Sequence, residues 1–548
     1  MDKITEKIKN IPTFMGILTI IILVGIFLRT YNLHSWLKFR DDQARDAMLV
    51  SQVVDGEKSW PLMGPYMSYS GLGDHDETNS FHLGPIYYYF QITSAKIFGN
   101  YADKLAYPDV FFGILSILLL YLFLKLYFEK KLALSLVGLY AISAYFVQYS
   151  RFAWNTNLIP FFVLLLLLSL HKFLEKNEKT PWRWVIALGI ALGVGIQLHA
   201  IIMVIFSCVA FAVFFVTMKK NYRVWKKWAV VLLVFCVLNA PQIYSELKTN
   251  FSNTRILFNF SSHDGNGENA KRVGKLSLFR NDLDCNIEAN GYFLSSYGGN
   301  NCTYGFLTPA SYSQIRTKNF SKVAQDLLIG LVMLISVAFS FFGYFMLIGR
   351  SKKETENSKK HFLYLTLFYL IASFAIMLPL SIDKFNDLRY YTATFFVPYV
   401  FLGFLLKFIN EKFSPKYAYC LVIAIFGVLI YTNISAMTEV TSALLAKNRT
   451  CSSRSTTIGE LEPVAEYMLA NSTGQKLIHF GGDKAFRVAY GPLAYILKKH
   501  NIDSAEIVAD PALSQNNNPT FMISCKSGMN KTYPGVEIGS IFVFRLNN

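Results

Sequence analysis

The chain has 548 residues, of which 53% are hydrophobic, 16% aromatic and only 16% charged, with a net charge of +17. A soluble domain carries roughly a quarter charged residues, so this composition excludes an ordinary soluble enzyme, and the mean hydropathy of +0.32 agrees. The positive balance first suggests nucleic acid. The Lys and Arg residues, however, gather in short connections between apolar runs, the cytoplasmic-loop bias of membrane proteins, and no nucleic-acid partner is expected.

The apolar runs have about the 20-residue length that crosses a bilayer core. In chain order they lie near 11–29, 108–128, 132–149, 158–174, 183–199, 200–217, 228–243, 323–348, 362–382, 393–409 and 417–436. The fold class is an all-α polytopic membrane protein of about eleven transmembrane helices. The first run is too long for a cleaved signal peptide, and Arg29-Thr30-Tyr31 is not a small-residue cleavage site. The basic opening MDKITEKIKN places the N-terminus in the cytoplasm. Connections 129–131, 172–183, 219–227, 350–360 and 407–416 then fall inside, and all are basic. Segments 31–107, 150–157, 244–322, 383–392 and the C-terminal tail fall outside. This parity depends on a junction at 199/200; one bent segment there would reverse everything downstream.

Residues 1–440 therefore form a transmembrane domain, with a first outer loop at 31–107 and a large outer loop at 244–322. Residues 441–548 read as a small extracytoplasmic α/β domain. In it, Thr457-Ile458-Gly459-Glu460 is a capping box opening a helix through Leu469. A second helix near 485–499 alternates with short β-rich runs at 476–480, 505–509, 521–525 and 541–546. Cys285 and Cys302 share one outer loop, and Cys451 and Cys525 share the tail. Two even pairs in an oxidising compartment predict two disulfides. Cys208, Cys236 and Cys420 lie in apolar runs as packing residues.

The first outer loop concentrates the chemistry. Its FRDDQARDA stretch (39–47) sets Arg40, Asp41, Asp42, Arg45 and Asp46 beside the membrane. AMLVSQVVDG continues at helical spacing, as a helix lying on the membrane surface. HLGPIYYYFQITSAKIFG (82–99) predicts a second interfacial helix, with Pro85 in its first turn and Tyr87, Tyr88 and Tyr89 as an aromatic belt. Between them Asp74-His75-Asp76-Glu77 fits no metal-ligand spacing and reads as solvated loop. Further polar groups sit at the outer boundary in YSRFAWNTN (149–157), at Gln197 and His199, and in DKFNDLRYY (383–391). All of these segments lie at one membrane face, where they can surround a single cavity holding a carboxylate, cations and aromatics.

These segments carry a resemblance. Asp42-Gln43-Ala44-Arg45-Asp46-Ala47, His82-Leu83-Gly84-Pro85-Ile86-Tyr87-Tyr88-Tyr89, Ser150-Arg151-Phe152-Ala153-Trp154-Asn155-Thr156-Asn157, Gln197-Leu198-His199 and Arg389-Tyr390-Tyr391 come in the order found in C-type membrane glycosyltransferases. The chain resembles the protein O-mannosyltransferase and lipid A aminoarabinose transferase group over about residues 10–435. Many members have Asp-Glu where this chain has Asp42-Gln43, and some carry a second acid after span three, where this chain has Asn155 and Asn157.

The resemblance implies a polyprenyl-phosphate-linked sugar donor, an acceptor hydroxyl on a glycan, lipid or protein, and an outward-facing site. Asp42 is then the general base of an inverting displacement. Arg389, Lys384, Arg45 and Arg151 are the candidate cations for the departing phosphate. Gln43, His82, Tyr88, Asn155, Asn157, Gln197, His199 and Tyr390 are the candidates for contact with sugar or acceptor. No cofactor is required, and a divalent metal stays open. Two rivals predict something else. A transporter or flippase of lipid-linked glycans needs ionisable groups at mid-membrane and repeated halves, whereas here the charges lie at boundaries. A non-catalytic scaffold predicts that Asp42→Asn is silent.

Overall fold

The structure, a computed structural model, describes residues 2–67, 80–260, 275–297, 320–378, 388–445, 456–472, 475–482, 486–506, 519–524, 535–539 and 541–546. Helix α1 (Asp2–Thr30) leads to α2 (Leu33–Trp36) and α3 (Asp41–Val54), then to the antiparallel strands β1 (Tyr66–Met67) and β2 (Phe81–His82). Next come α4 (Ile86–Phe98), α5 (Ala102–Leu105), α6 (Tyr107–Leu124), α7 (Lys130–Ile142), α8 (Ala144–Tyr149), a 3-10 turn at Asn155–Leu158 and α9 (Ile159–Lys176). The bundle continues through α10 (Trp182–Gly195), α11 (Ala200–Lys220), α12 (Trp225–Lys248), α13 (Ser252–Phe260), α14 (Lys275–Ser295), α15 (Phe320–Lys353) and α16 (Asn357–Met377). It ends with a 3-10 segment at Leu388–Thr394, α17 (Val397–Lys412) and α18 (Pro415–Leu445).

Among the described residues seven helices are long and apolar enough to cross a bilayer, or eight if Leu388–Thr394 and Val397–Lys412, bent by 60°, count as one span. Phe14–Thr30 and Trp182–Gly195 are apolar but shorter. Within the described residues each expected apolar run is mainly helix, with 132–149 divided and 393–409 bent. The chain turns out of helical conformation at Ser143, and the buried Arg29 donates to the freed Ala141 carbonyl at 2.9 Å. The 199/200 junction is a true break. His199 is extended there, and its Nδ1 accepts from Ile201 N at 3.2 Å as the N-cap of α11. Helix α9 is the central helix: 78% of its apolar window is buried inside the bundle, against 6% for α18, which keeps its sides for lipid.

Part of the expected large outer loop is not a loop. Helix α14 packs into the bundle against α15, α17 and α18, with Phe293 and Cys285 fully buried. Buried polar pairs fix it: Tyr391 Oη donates to Asp282 Oδ1 at 2.5 Å, and Asn290 Nδ2 donates to Ser340 Oγ at 3.1 Å. Cys285 is disulfide-bonded; Cys302, Cys451 and Cys525 lie outside the described residues. Cys208, Cys236 and Cys420 are free and sit on the bundle's surface, so they are not the core packing residues expected.

The C-terminal part consists of α19 (Ile458–Ala470), β3 (Leu477–Gly482), α20 (Phe486–Lys499), β4 (Asp503–Glu506), β5 (Thr520–Ser524), β6 (Gly535–Ile538) and β7 (Ile541–Arg545). Its sheet runs β4-β3-β5-β7-β6, parallel at β4-β3-β5 and antiparallel at β5-β7-β6. The capping box at Thr457 and Glu460 is formed. This unit is joined to the first loop by backbone and core. Ile458 N donates to Leu37 O at 3.0 Å and Phe39 N to Thr456 O at 3.3 Å. Ala44, Ala47 and Val50 of α3, at every third position, share one apolar core with Leu493, Tyr495 and Ile496 of α20. At the end of that contact Lys499 bonds Ser51 and pairs with Asp55 at 3.7 Å.

Candidate active site

Burying the Ala44/Ala47/Val50 stripe of α3 turns its other side toward a cavity of about 230 Å³. The cavity opens where α3, the β1 turn, the loop before α9, the start of α11 and the Leu388–Thr394 segment meet. Asp42, Arg45, Asp46 and Tyr66 line one flank. Trp154, Asn155, His199, Arg389 and Tyr390 line the other, and Ile159, Ile201 and Ile202 supply an apolar side.

On the first flank the two carboxylates differ in accessibility. Arg45 donates to Asp46 Oδ1 through Nη2 at 2.8 Å and Nε at 3.0 Å, and Tyr88 Oη donates to the same oxygen at 2.9 Å. Asp46 is 4% exposed. Burial pushes its carboxyl above the ordinary range, while the Arg45 charge and hydrogen bonds pull the other way. Burial, then the Asp46 charge, holds the Tyr88 hydroxyl well above its usual value, so it stays a donor. Among the described residues Asp42 is met by Arg45 Nη1 at 3.4 Å, and its side chain is 61% exposed. Arg45 is further fixed by lying 4.5 Å over the Tyr66 ring.

On the second flank Arg389 lies 5.6 Å from the Trp154 ring centre and 5.0 Å from that of Tyr390. It also donates to Tyr390 Oη at 3.1 Å. His199 meets Tyr390 edge-on at 5.6 Å. Burial, with the Arg389 charge adding to it, lowers His199 to about 4, so it is a neutral imidazole at physiological pH. Asn155 Nδ2 is engaged by the Leu198 carbonyl at 2.5 Å.

Of the residues expected at the site, Asp42, Arg45, Asn155, His199, Arg389 and Tyr390 therefore meet at one cavity. Others stand behind its walls. Gln43 is buried off the wall, and Tyr88 is spent on Asp46. Gln197 accepts from Ile86 N at 3.1 Å and donates to the Gly193 and Leu238 carbonyls. Gly84 is required beside it, since a Cβ there would lie 2.1 Å from Gln197 Oε1. His82 is clamped through its backbone by Asn253, at 2.7 and 3.0 Å, and its Nδ1 meets Gly64 O at 3.1 Å. Arg151 donates to the Leu28 and Tyr31 carbonyls at 2.7 and 2.6 Å, away from the cavity. Lys384 lies outside the described residues, as does the 74–77 acidic cluster. Tyr87 and Tyr88 are buried hydrogen-bonding residues, which replaces the expected aromatic belt: a hydroxyl enclosed in protein needs an acceptor, and each has found a carboxylate.

Asn157 donates to Phe152 O at 2.7 Å and to Asp109 Oδ1 at 3.0 Å. Asp109, in the first turn of α6, also accepts from Trp154 N at 3.0 Å and, on Oδ2, from Tyr87 Oη at 3.0 Å. Sequence reading passed over this residue. The available signal was an acid inside an otherwise apolar run, which by itself marks a functional candidate. Among the described residues no three His, Cys, Asp or Glu side chains converge as metal ligands.

Residues 82–244 match the family described as dolichyl-phosphate-mannose-protein mannosyltransferase. The whole structure is similar to that of apo ArnT from Cupriavidus metallidurans, with a TM-score of 0.54 at 12% identity over 97% of this chain and 98% of the other. The fold is that of this ArnT. The same ArnT bound to undecaprenyl phosphate gives a TM-score of 0.53 at 12% identity, over 98% of both chains. No curated protein matches the sequence. The matched family segment begins at His82, so α3 with Asp42 precedes it. The likeness to the ArnT fold nevertheless spans 97% of the chain, α3 and the C-terminal sheet with it.

Proposed function

We propose that this chain transfers a sugar from a polyprenyl-phosphate donor to an acceptor hydroxyl on the extracytoplasmic face, with inversion at the anomeric carbon. The observation that carries the reading is one cavity with an accessible carboxylate on one flank, a guanidinium on the other and an apolar side between them. Asp42 takes the proton of the acceptor hydroxyl as its oxygen attacks the anomeric carbon, and the bond from that carbon to the phosphate oxygen breaks. The leaving group is polyprenyl phosphate, whose growing charge is met by Arg389 and Arg45. Lys384 is assigned to the same task from its sequence position. Ile159, Ile201 and Ile202 suit the first isoprene units. Asp46 is the poorer base, because its charge is already held by Arg45 and Tyr88.

The ArnT structure with undecaprenyl phosphate supports the donor class, and the family match over 82–244 supports sugar transfer. The basic connections assign the opposite membrane face to the cytoplasm, which leaves the cavity outside, where donors arrive on lipid. The acceptor is a hydroxyl of a glycan, lipid or protein of the cell envelope. The test supplies purified protein in lipid with a panel of polyprenyl-phosphate sugars and envelope extract, and follows release of polyprenyl phosphate. Release by the wild type that is lost in Asp42→Asn is expected. Equal release from both would remove Asp42 from the mechanism.

A further inference from the structure

Asp109 lines neither the cavity nor the smaller chamber beside it that Thr156, Asn157 and Arg389 share. It is nonetheless fully buried and collects three hydrogen bonds from two distant pieces of chain. One piece is α4, through Tyr87; the other is the loop before α9, through Trp154 N and Asn157 Nδ2. Oδ1 takes both loop donors, Trp154 N and Asn157 Nδ2, and Oδ2 takes the Tyr87 hydroxyl. The residues between the two loop contacts, Asn155 and Thr156, line the cavity, and Trp154 carries Arg389 on its ring face.

We propose that Asp109 is a positioning residue for the transfer step: it holds the Trp154–Asn157 loop in register and, through Trp154, aims Arg389 at the departing phosphate. The inference rests on the transferase reading for its chemistry, although the hold on the loop stands without it. An amide at this position can keep its oxygen toward Trp154 N and Asn157 Nδ2 while the Tyr87 hydroxyl turns to accept from its nitrogen, whereas leucine, of similar size, offers none of the three donors an acceptor. A loop at a bundle end that loses such an anchor drifts, and a shift of about 1 Å in a positioning group costs on the order of 10²-fold in rate.

The experiment compares wild type, Asp109→Leu, Asp109→Glu and Tyr87→Phe in full-length protein labelled with 5-fluorotryptophan. The Trp154 resonance is identified by its loss in Trp154→Phe. In Asp109→Leu that resonance shifts and kcat for polyprenyl phosphate release, per folded molecule, falls on the order of 10²-fold with a smaller change in KM. Asp109→Glu, which keeps both acceptor oxygens, recovers most of the rate and the resonance. Tyr87→Phe removes one donor, keeps the carboxylate and loses less. An unmoved resonance in Asp109→Leu overturns the proposal. So does a moved resonance with kcat unchanged per folded molecule, or a Glu variant no better than Leu. If the resonance moves and even the wild type releases nothing from any donor, the transferase reading fails, while the hold of Asp109 on the loop is upheld.

Discussion

The two flanks of the cavity are built in opposite ways. The acid flank is one continuous helix. Asp42, Arg45 and Asp46 lie within five residues, and α3 is backed by a folded unit through α20. The cation flank is assembled from three helix breaks: the turn at Asn155–Leu158, the N-cap His199 and the Leu388–Thr394 segment. A helix holds its side chains at set angles and needs support only from behind. Broken backbone at a membrane boundary leaves polar groups that must be paired individually. Hence the cation flank is where Asp109 and Gln197 are spent on backbone. Placement by a rigid element and placement by hydrogen bonds are two solutions to one problem, and they should fail differently.

The largest expected effect separates the two carboxylates of the acid flank. Asp42→Asn should cut release of polyprenyl phosphate by about 10²–10⁴-fold while leaving thermal unfolding unchanged. Asp46→Asn should do the reverse in character. It leaves Arg45 without its buried partner, costs about 3–5 kcal/mol of stability and lowers the unfolding midpoint. A silent Asp42→Asn beside a dead but stable Asp46→Asn would exchange the two roles. Next comes the cation flank: Arg389→Ala should lower kcat by roughly 10²–10³-fold, and Arg389→Lys should restore only part, since the ammonium lacks the planar fork. Full activity in Arg389→Ala, measured by the same release assay, would leave the phosphate to Arg45.

A smaller effect tests the backing of the acid flank. Gly491 sits in ordinary contact with α3, its added Cβ falling 3.5 Å from Ala44 Cβ and 3.6 Å from Asp41 Oδ1. Gly491→Leu should overfill this contact at a cost of about 1–3 kcal/mol and slow release as α3 is displaced. Unchanged midpoint and rate would mean that α20 is not a support. The smallest effect is a pH dependence from the cation flank. His199 in the folded chain titrates at about 4, below the ordinary 6.5. The unfolded chain therefore takes up this proton first as the solution is acidified. The contribution is fully present above about 6.5 and is lost as pH falls toward 4. Unfolding midpoints of His199→Gln should be flatter than wild type across that window; parallel curves would show that His199 is not buried as described.

The same contrast explains what could be read in advance. The apolar runs, the two segments divided at 199/200, the capping box at Thr457 and the runs that become β3, β5 and β7 follow periodicity and cap chemistry, which are local, and they were legible, whereas β6 was not among the expected runs. The gathering of Asp42, Asn155, His199 and Arg389 at one cavity was also legible, from motif order and shared membrane face. What could not be read was direction. A motif residue can face the cavity or the scaffold behind it, and the spacing is the same. Gln197 and Asn157 turned to backbone and carboxylate partners; Arg151 turned to the end of α1. Helix α14 was misjudged for a related reason. Its buried Asp282, Asn286 and Asn290 look like loop residues until Tyr391, Tyr344 and Ser340 are there to pair with them.

The contact between Lys499 and Ser51 joins residues 448 positions apart. During synthesis α3 leaves the ribosome early, with its Ala44/Ala47/Val50 stripe uncovered, and must wait for almost the whole chain before α20 arrives to cover it. A membrane bundle that has inserted every span still lacks the support of its acid flank. A chain terminated ahead of α20 would thus reach the bilayer without the cover that α20 gives the Ala44/Ala47/Val50 stripe.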